Sequence, residues 1–405
     1  MLMTTALPAI GRPAADRADL ARALDDLLAA RPVPPAVLAL GEPTHGIPAF
    51  PLLRNDVLAH LADRGFRSIA LETDVFAAAL VDDYVTGADT DLETVLAAGL
   101  SHRFGNVPGN RELLEWLRAH NAAREPADHI RFHGFDAPLE QTEVPSPRAA
   151  LTTVAAFLPP ARRPASAADL DTLIGDDAAW TDPAAVYDPA LSIGDSDRAR
   201  ALRLVADDLT SALRRLAPAL RPADPAAYDR VLAHARTAKG LLRYHAALAT
   251  PGPDRIALLL SLRTEMMADN LRAVLGREQD RGPTLVFAHN VHLQRTDSRM
   301  TMGGAEPSWS GAGAILATEL GERYVVVATD ANPRPEPGTV QHVLAAATTG
   351  RALFPAAELR AALDPALTAG APIVQGHIPL GPEDLAGADA VVFVADTDGV
   401  RHPYW

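Results

Sequence analysis

The sequence predicts an α/β fold: a mainly parallel sheet flanked by helices, with an all-helical insertion subdomain between two halves of the sheet. Three observations carry that expectation. Short apolar runs rich in β-branched residues recur along the chain, each ending in a polar or glycine-containing segment. Helical-looking stretches separate most of them, and the middle of the chain has helical character throughout. Continuous apolar strands alternating with amphipathic helices are the pattern of a parallel sheet covered on both faces.

Taken in order, strands are expected at Ala36–Gly41, Ser68–Leu71, Ile130–Phe135, Thr284–Ala288, Tyr324–Ala328 and Ala390–Ala395. Pro51–Arg64, Val75–Tyr84 and Arg111–Arg124 read as helices among the first of them. From Ser146 to Thr250 the chain is dominated by Ala, Leu, Arg and Asp at helical spacing, broken by Pro, with helices at Ser196–Leu216 and Pro225–Ala249 and no strand. Helix Arg255–Arg277 then leads back to the strand at Thr284, Asn332–Pro337 reads as a surface loop, and His377–Trp405 is expected to supply an edge strand. The domain division that follows is residues 1–145 for the first half of the core, 146–250 for the helical insertion and 251–405 for the second half.

Composition excludes several classes. The 405 residues are 48% hydrophobic and 22% charged, ample for a sizeable core, but only 5% aromatic, so that core is chiefly Ala, Leu and Val. Thirty-seven basic against 51 acidic residues leave a formal charge of -14, and Lys239 is the sole lysine; this balance opposes binding to a phosphate backbone. The absence of cysteine removes disulfides, thiolate metal sites, iron–sulfur clusters and a cysteine nucleophile together. The best apolar run, Ile256–Leu262, is far too short to span a bilayer, and Pro8 and Arg12 interrupt Met1–Ala15 where a signal peptide needs an unbroken apolar stretch. The expectation is a cytoplasmic protein with a small-molecule partner, no nucleic acid and no membrane; the oligomeric state stays open.

The unusual polar residues fall just after the strands. Glu42, Thr44 and His45 follow the first in GEPTHG, and Glu72 follows the second in ALET. His133 and Asp136 lie in RFHGFD, and His289, Asn290 and His292 end the fourth strand in FAHNVH. Open parallel sheets bind ligands beyond the carboxyl ends of their strands, so two glutamates and three histidines are expected at one edge. Singly, each has a plainer reading: His45 as a turn residue, Glu72 as a helix cap, Asp136 as a turn closer, His289 and His292 as core histidines bonded to carbonyls. Their convergence favours chemistry.

Glu42 and His45 lie three residues apart, close enough for a carboxylate to orient an imidazole that takes a proton from water near neutral pH. Glu72 would share that task or bind a substrate hydroxyl. Arg54, in the helix that follows, is either a fork that pairs a carboxylate or substrate group, or an ordinary surface arginine. His289 or His292 would steady an oxyanion or protonate a leaving alcohol. No G-x-S-x-G, S-x-x-K, Walker A or H-E-x-x-H motif competes. The same His and Glu side chains would be acceptable ligands for a divalent metal, which is not favoured; no cofactor is expected.

These residues resemble the erythromycin esterase family. The similar segments are GEPTHGIPAFPLLR (Gly41–Arg54), ALETD with the downstream VDDYVTG, ELLEWLRAHN (Glu112–Asn121), RFHGFDA, RTEMMADNL (Arg263–Leu271) and FAHNVHLQR (Phe287–Arg295), in that order between Val37 and Asp330. The resemblance implies an α/β core with a helical subdomain and a hydrolase that opens macrolide lactones with water, without metal or covalent serine intermediate. It places the histidine base on His45, the loop glutamate on Glu42, the helix arginine on Arg54, the second-strand glutamate on Glu72 and the late histidines on His289 and His292. The sequence departs from the family where Ser101–Asn106 replaces a tryptophan-rich W-x-W-N stretch, where Thr264 replaces a common aspartate, and in a longer Met300–Gly313. His102 and Trp309 in these departures, with Asn290, are candidate substrate contacts. The leading expectation is hydrolysis of an ester or lactone of a macrolide- or polyketide-like natural product. A biosynthetic cyclase, isomerase or transferase using the same acid–base set, and a metal- or ligand-binding protein without turnover, are the alternatives.

Overall fold

Six apolar runs become the strands Val37–Glu42 (β2), Ser68–Asp74 (β3), Arg131–Asp136 (β4), Thr284–His289 (β5), Tyr324–Asp330 (β8) and Ala390–Val394 (β10). With Arg12–Pro13 (β1) and Arg351–Pro355 (β9) they form one eight-stranded sheet in the order β1-β9-β10-β8-β2-β5-β3-β4, and Asp297–Arg299 (β6) pairs with Ser308–Ser310 (β7) in a separate hairpin. The computed structural model describes residues 7–140, 143–301 and 304–404. The starts of Met1–Ala15 and the ends of His377–Trp405, with Met302 and Gly303 of the Met300–Gly313 stretch, lie outside the described residues.

The central strands are parallel, β10 to β8, β8 to β2, β2 to β5 and β5 to β3. β2, β5, β8 and β10 are buried along their whole length, which is why their sequences are unbroken apolar runs rather than alternating ones. The expected edge strand is a correction. Ala390–Val394 is interior, because β9 lies antiparallel outside it and β1 outside β9. The short β9, ending at Pro355, carries too little pattern to announce itself.

The chain divides into two compact units, residues 1–135 with 271–405, and residues 136–270. The first holds the sheet and its helices, among them Ala49–Ala62, Ala78–Val85 and Asn110–Ala122. The second is built on Arg148–Phe157, Asp197–Arg215 and Pro225–Leu248, with its own apolar core of Leu151, Leu202, Leu209, Leu213 and Leu242. Among its described residues the only β pairing is a single bridge from Glu140 to Glu143. Within it, Arg263 of RTEMMADNL grips the fully buried Asp136 of RFHGFD through two hydrogen bonds, Nε to Oδ1 at 3.0 Å and Nη2 to Oδ2 at 2.6 Å. Two of the sequence motifs therefore hold each other, and Asp136 closes structure.

Candidate active site

Strand order fixes where the site forms. From β2 the chain crosses to β3 on one side, and from β5 it crosses to β8 on the other, so a crevice opens at the carboxyl ends of β2 and β5. Register does the rest: Glu42 and His289 are direct partners in the β2–β5 ladder. Gly41 beside them must lack a side chain, since a Cβ there would run into Oδ1 of Asn290.

The GEPTHG turn folds His45 back on Glu42, whose Oε1 accepts the Nδ1–H at 2.8 Å. That bond puts the proton of neutral His45 on Nδ1 and leaves Nε2 as an acceptor, 3.7 Å from Glu72 Oε1. Glu72 is itself held: Oε2 accepts the His289 backbone N–H at 2.9 Å, and Oε1 lies 3.2 Å from His292 Nε2. His289 accepts the Val291 N–H on Nδ1 at 3.3 Å, so its Nε2–H donates to the Gly376 carbonyl at 3.3 Å. His45, Glu42, Glu72 and Arg54 line a cavity of about 20 Å³ with Phe104, Phe287 and Asn110, room for about one water molecule. Oε2 of Glu42 is buried without a hydrogen-bond partner among the described residues. Among the described residues no group of three or more His, Asp or Glu side chains is arranged to hold a metal ion.

Electrostatics separates two of the histidines. Burial pulls the His45 imidazole down, but the carboxylates of Glu72 and Glu42 outweigh it and hold it above its ordinary value. His289 is buried without such a carboxylate bond and is pulled down to about 3, chiefly by desolvation, with the charge of His45 adding to the effect. Burial raises the Glu42 carboxyl, against the downward pull of His45. Arg54 is also lowered by burial, to about 9, and stays cationic at neutral pH.

Arg54 is no surface residue; it is 1% exposed. Nor does its fork grip a carboxylate. It donates to Asn55 Oδ1, Asn110 Oδ1 and the Gly109 carbonyl, and its guanidinium lies 4.9 Å above the Phe287 ring. Asn110 passes the constraint on, because its Nδ2 donates to the Phe104 carbonyl at 2.7 Å. Phe104 belongs to Ser101–Asn106, where His102 and Arg103 take left-handed φ of 56° and 55°, a costly backbone for residues with a Cβ. The loop is pinned to the end of β3, with Ser101 Oγ accepting the Asp74 N–H at 2.9 Å. Its Phe104 ring thereby lands 4.9 Å from the His45 ring, with His102 5.3 Å beyond it.

Asn290 and Trp309 are not walls of this cavity. The Asn290 amide is spent on β8, donating to the Thr329 carbonyl at 2.8 Å and accepting its N–H at 3.3 Å. Trp309 is buried in the β6–β7 hairpin. His133 pairs with Glu278 at 2.9 Å. Sequence reasoning missed Phe104 as a specific contact, the Gly376 carbonyl, and Tyr404, whose ring meets His45 edge-on at 6.1 Å.

The family model described as erythromycin esterase matches residues 61–375. The chain belongs to the erythromycin esterase family. The match takes in Glu72, His289 and His292, while Glu42, His45 and Arg54 lie upstream of it and Tyr404 downstream. The erythromycin esterase fold is also seen in solved structures. A protein from Bacillus cereus matches at a TM-score of 0.70 and 17% identity, over 97% of this chain and 96% of that one. A succinoglycan biosynthesis protein matches at 0.64 and 14%, over 98% and 96%. A mutant of the erythromycin esterase EreC in its open conformation matches at 0.64 and 18%, over 97% of each chain. No curated protein matches the chain in sequence.

Proposed function

We propose that this member of the family is a hydrolase that opens an ester or lactone of a macrolide- or polyketide-like natural product, with water activated by His45. One observation carries the reading: His45 is fixed on Glu42 through Nδ1 and turns Nε2 toward Glu72 across a cavity that admits a water molecule. A water there donates one hydrogen to Nε2 and the other to Glu72. As it attacks the ester carbonyl, His45 takes its proton and Glu42 stabilises the imidazolium. Collapse of the tetrahedral intermediate returns that proton from Nε2 to the leaving alcohol, so His45 is base and then acid. His289 contributes a neutral N–H: its bond to the Gly376 carbonyl, 3.3 Å, is long enough to be exchanged for one to the substrate oxygen. Arg54 and Asn110 act by positioning. Glu72, held by the His289 backbone N–H and facing His292, orients the water.

The reading includes turnover without a bound metal or cofactor. Incubation of the wild type and His45→Asn with erythromycin, followed by product mass, tests it. The expected result is gain of one water with the wild type alone. No hydrolysis by the wild type would overturn the macrolide assignment, and equal hydrolysis by both would overturn the role of His45. Chelation is expected to leave the rate unchanged; loss restored by a divalent ion would overturn the metal-free part.

A further inference from the structure

Among the described residues the imidazole of His45 is tied down by one hydrogen bond, from Nδ1 to Glu42. One bond at one nitrogen does not fix the plane of a ring whose terminal torsion is intrinsically broad. Yet the direction of Nε2 toward Glu72 depends on that plane. Ring contacts supply what is missing. Phe104 lies 4.9 Å away at an interplanar angle of 51°, His289 5.4 Å away at 77°, and Tyr404 6.1 Å away at 90°. Phe104 and Tyr404 also brace each other, 5.4 Å apart.

Tyr404 comes from a segment remote in sequence that docks on the turn carrying the base. The His402 N–H donates to the Gly46 carbonyl at 2.8 Å, and Arg401 Nη1 donates to the Gln375 carbonyl at 2.8 Å. The Arg401 guanidinium lies 5.7 Å from the Tyr404 ring centre. Gly46, the neighbour of His45, takes φ +86°, and a Cβ there would come within 2.8 Å of Arg401 Cγ, the His402 carbonyl and Tyr404 Cδ1. The last glycine of GEPTHG is thus required by the approach of this segment as well as by its own backbone. Tyr404 is 4% exposed, and burial raises its phenol to about 12, so the hydroxyl stays neutral beside the carboxylates.

We propose that Tyr404 is a positioning residue for His45, its ring closing the clamp with Phe104 that holds the imidazole plane in line with both Glu42 and Glu72. The inference rests on the reading of His45 as the base, but it is a statement about ring order that can be measured without turnover. The work is done by the aromatic ring, through its contacts with His45 and Phe104.

The test uses the full chain with Tyr404→Phe and Tyr404→Ala, and His45→Asn to assign the His45 Nδ1–H proton by NMR. The wild type and Tyr404→Phe are expected to show the same slowly exchanging proton, and Tyr404→Ala to exchange it at least about 10-fold faster as the imidazole loses its fixed plane. With erythromycin as substrate, Tyr404→Ala is expected to lose about 10- to 100-fold in kcat with KM little changed, the effect of misplacing a reacting group by a fraction of its reach. Tyr404→Phe should restore kcat to within about 2-fold of wild type. Unchanged exchange in Tyr404→Ala would overturn the inference, as would loss of protection in Tyr404→Phe. If Tyr404→Ala fails to fold, Tyr404→Leu, which keeps bulk without an aromatic edge, takes its place under the same criteria. Absence of hydrolysis by the wild type would count against the proposed substrate alone, and the exchange measurement would still decide the role of Tyr404.

Discussion

Replacing Arg54 by methionine probes how the helix behind the site controls its front. The guanidinium makes four hydrogen bonds to three acceptors. Asn55 Nδ2 also donates to the Gly109 carbonyl at 2.7 Å, so that acceptor keeps a partner when Arg54 is lost. Asn55 Oδ1 and Asn110 Oδ1 do not. Two buried or half-buried acceptors left unpaired cost about 1–3 kcal/mol each, while relief of the buried cation's desolvation returns part of that. The net expectation for Arg54→Met is a loss of about 2–4 kcal/mol, with the methionine retaining contact over Phe287. Arg54→Lys keeps the charge but reaches only part of the fork's acceptors, for an expected loss of about 1–3 kcal/mol. Urea unfolding at neutral pH followed by far-UV circular dichroism measures both, and kcat should fall with them because Asn110 anchors Phe104 over His45. A wild-type midpoint for Arg54→Met, or full equivalence of Arg54→Lys, would refute the claim that the planar fork organises the site.

Because His45 must be neutral to accept a proton and its carboxylate neighbours hold it above 6.5, activity is expected to rise with pH through an inflection above that value. Glu72→Gln removes the strongest of those upward influences, so the acid limb should move to lower pH as kcat drops; a limb that stays in place would sink the assignment. Gly41→Ala drives a methyl into Asn290 and should lower the urea midpoint by the equivalent of about 1–3 kcal/mol, a neutral result showing that β2 and Asn290 can separate freely. Thr264 is fully buried and its hydroxyl has no hydrogen-bond partner among the described residues, so Thr264→Val is expected to stabilise the protein by about 1 kcal/mol, and a lower melting temperature would contradict that.

The strands that carry Glu42, Glu72 and His289 were legible because a buried parallel strand must be an unbroken apolar run, and its end is where the polarity returns. The sheet order was not legible, and with it went the placement of Ala390–Val394, because order is decided by which strands share apolar faces across long separations. The contact between Glu42 and His45 could be read from local spacing. Arg54 could be placed on a helix but not given its partners: Gly109 and Asn110 sit more than fifty positions away, and nothing in their residue types announces the contact. Phe104 and Tyr404 are illegible for a related reason. An aromatic side chain has no local rule that ties it to a particular imidazole, and only the left-handed turn at His102 and Arg103 and the docking at Gly46 bring the rings together.

His45 and His289 look equivalent in the sequence as imidazoles at strand ends; the environment makes them differ. His45 has carboxylates near both ring nitrogens, which overcome its burial. His289 meets a backbone amide and a backbone carbonyl, which fix a neutral tautomer without favouring the cation, so burial prevails and the ring stays neutral far below physiological pH. An imidazole that takes up no second proton has none to spare for a departing alcohol, since giving up its Nε2–H would leave an imidazolate. Under the proposed mechanism the protonation of the leaving group therefore falls to His45, which has just taken the proton from water, and His289 is confined to hydrogen bonding. That economy places the burden on the orientation of one ring, since the same Nε2 must face the attacking water and then the leaving oxygen. The aromatic packing around His45 is the part of the structure suited to carry it, because ring contacts restrain the imidazole plane without adding a charge that would disturb the balance set by Glu42 and Glu72.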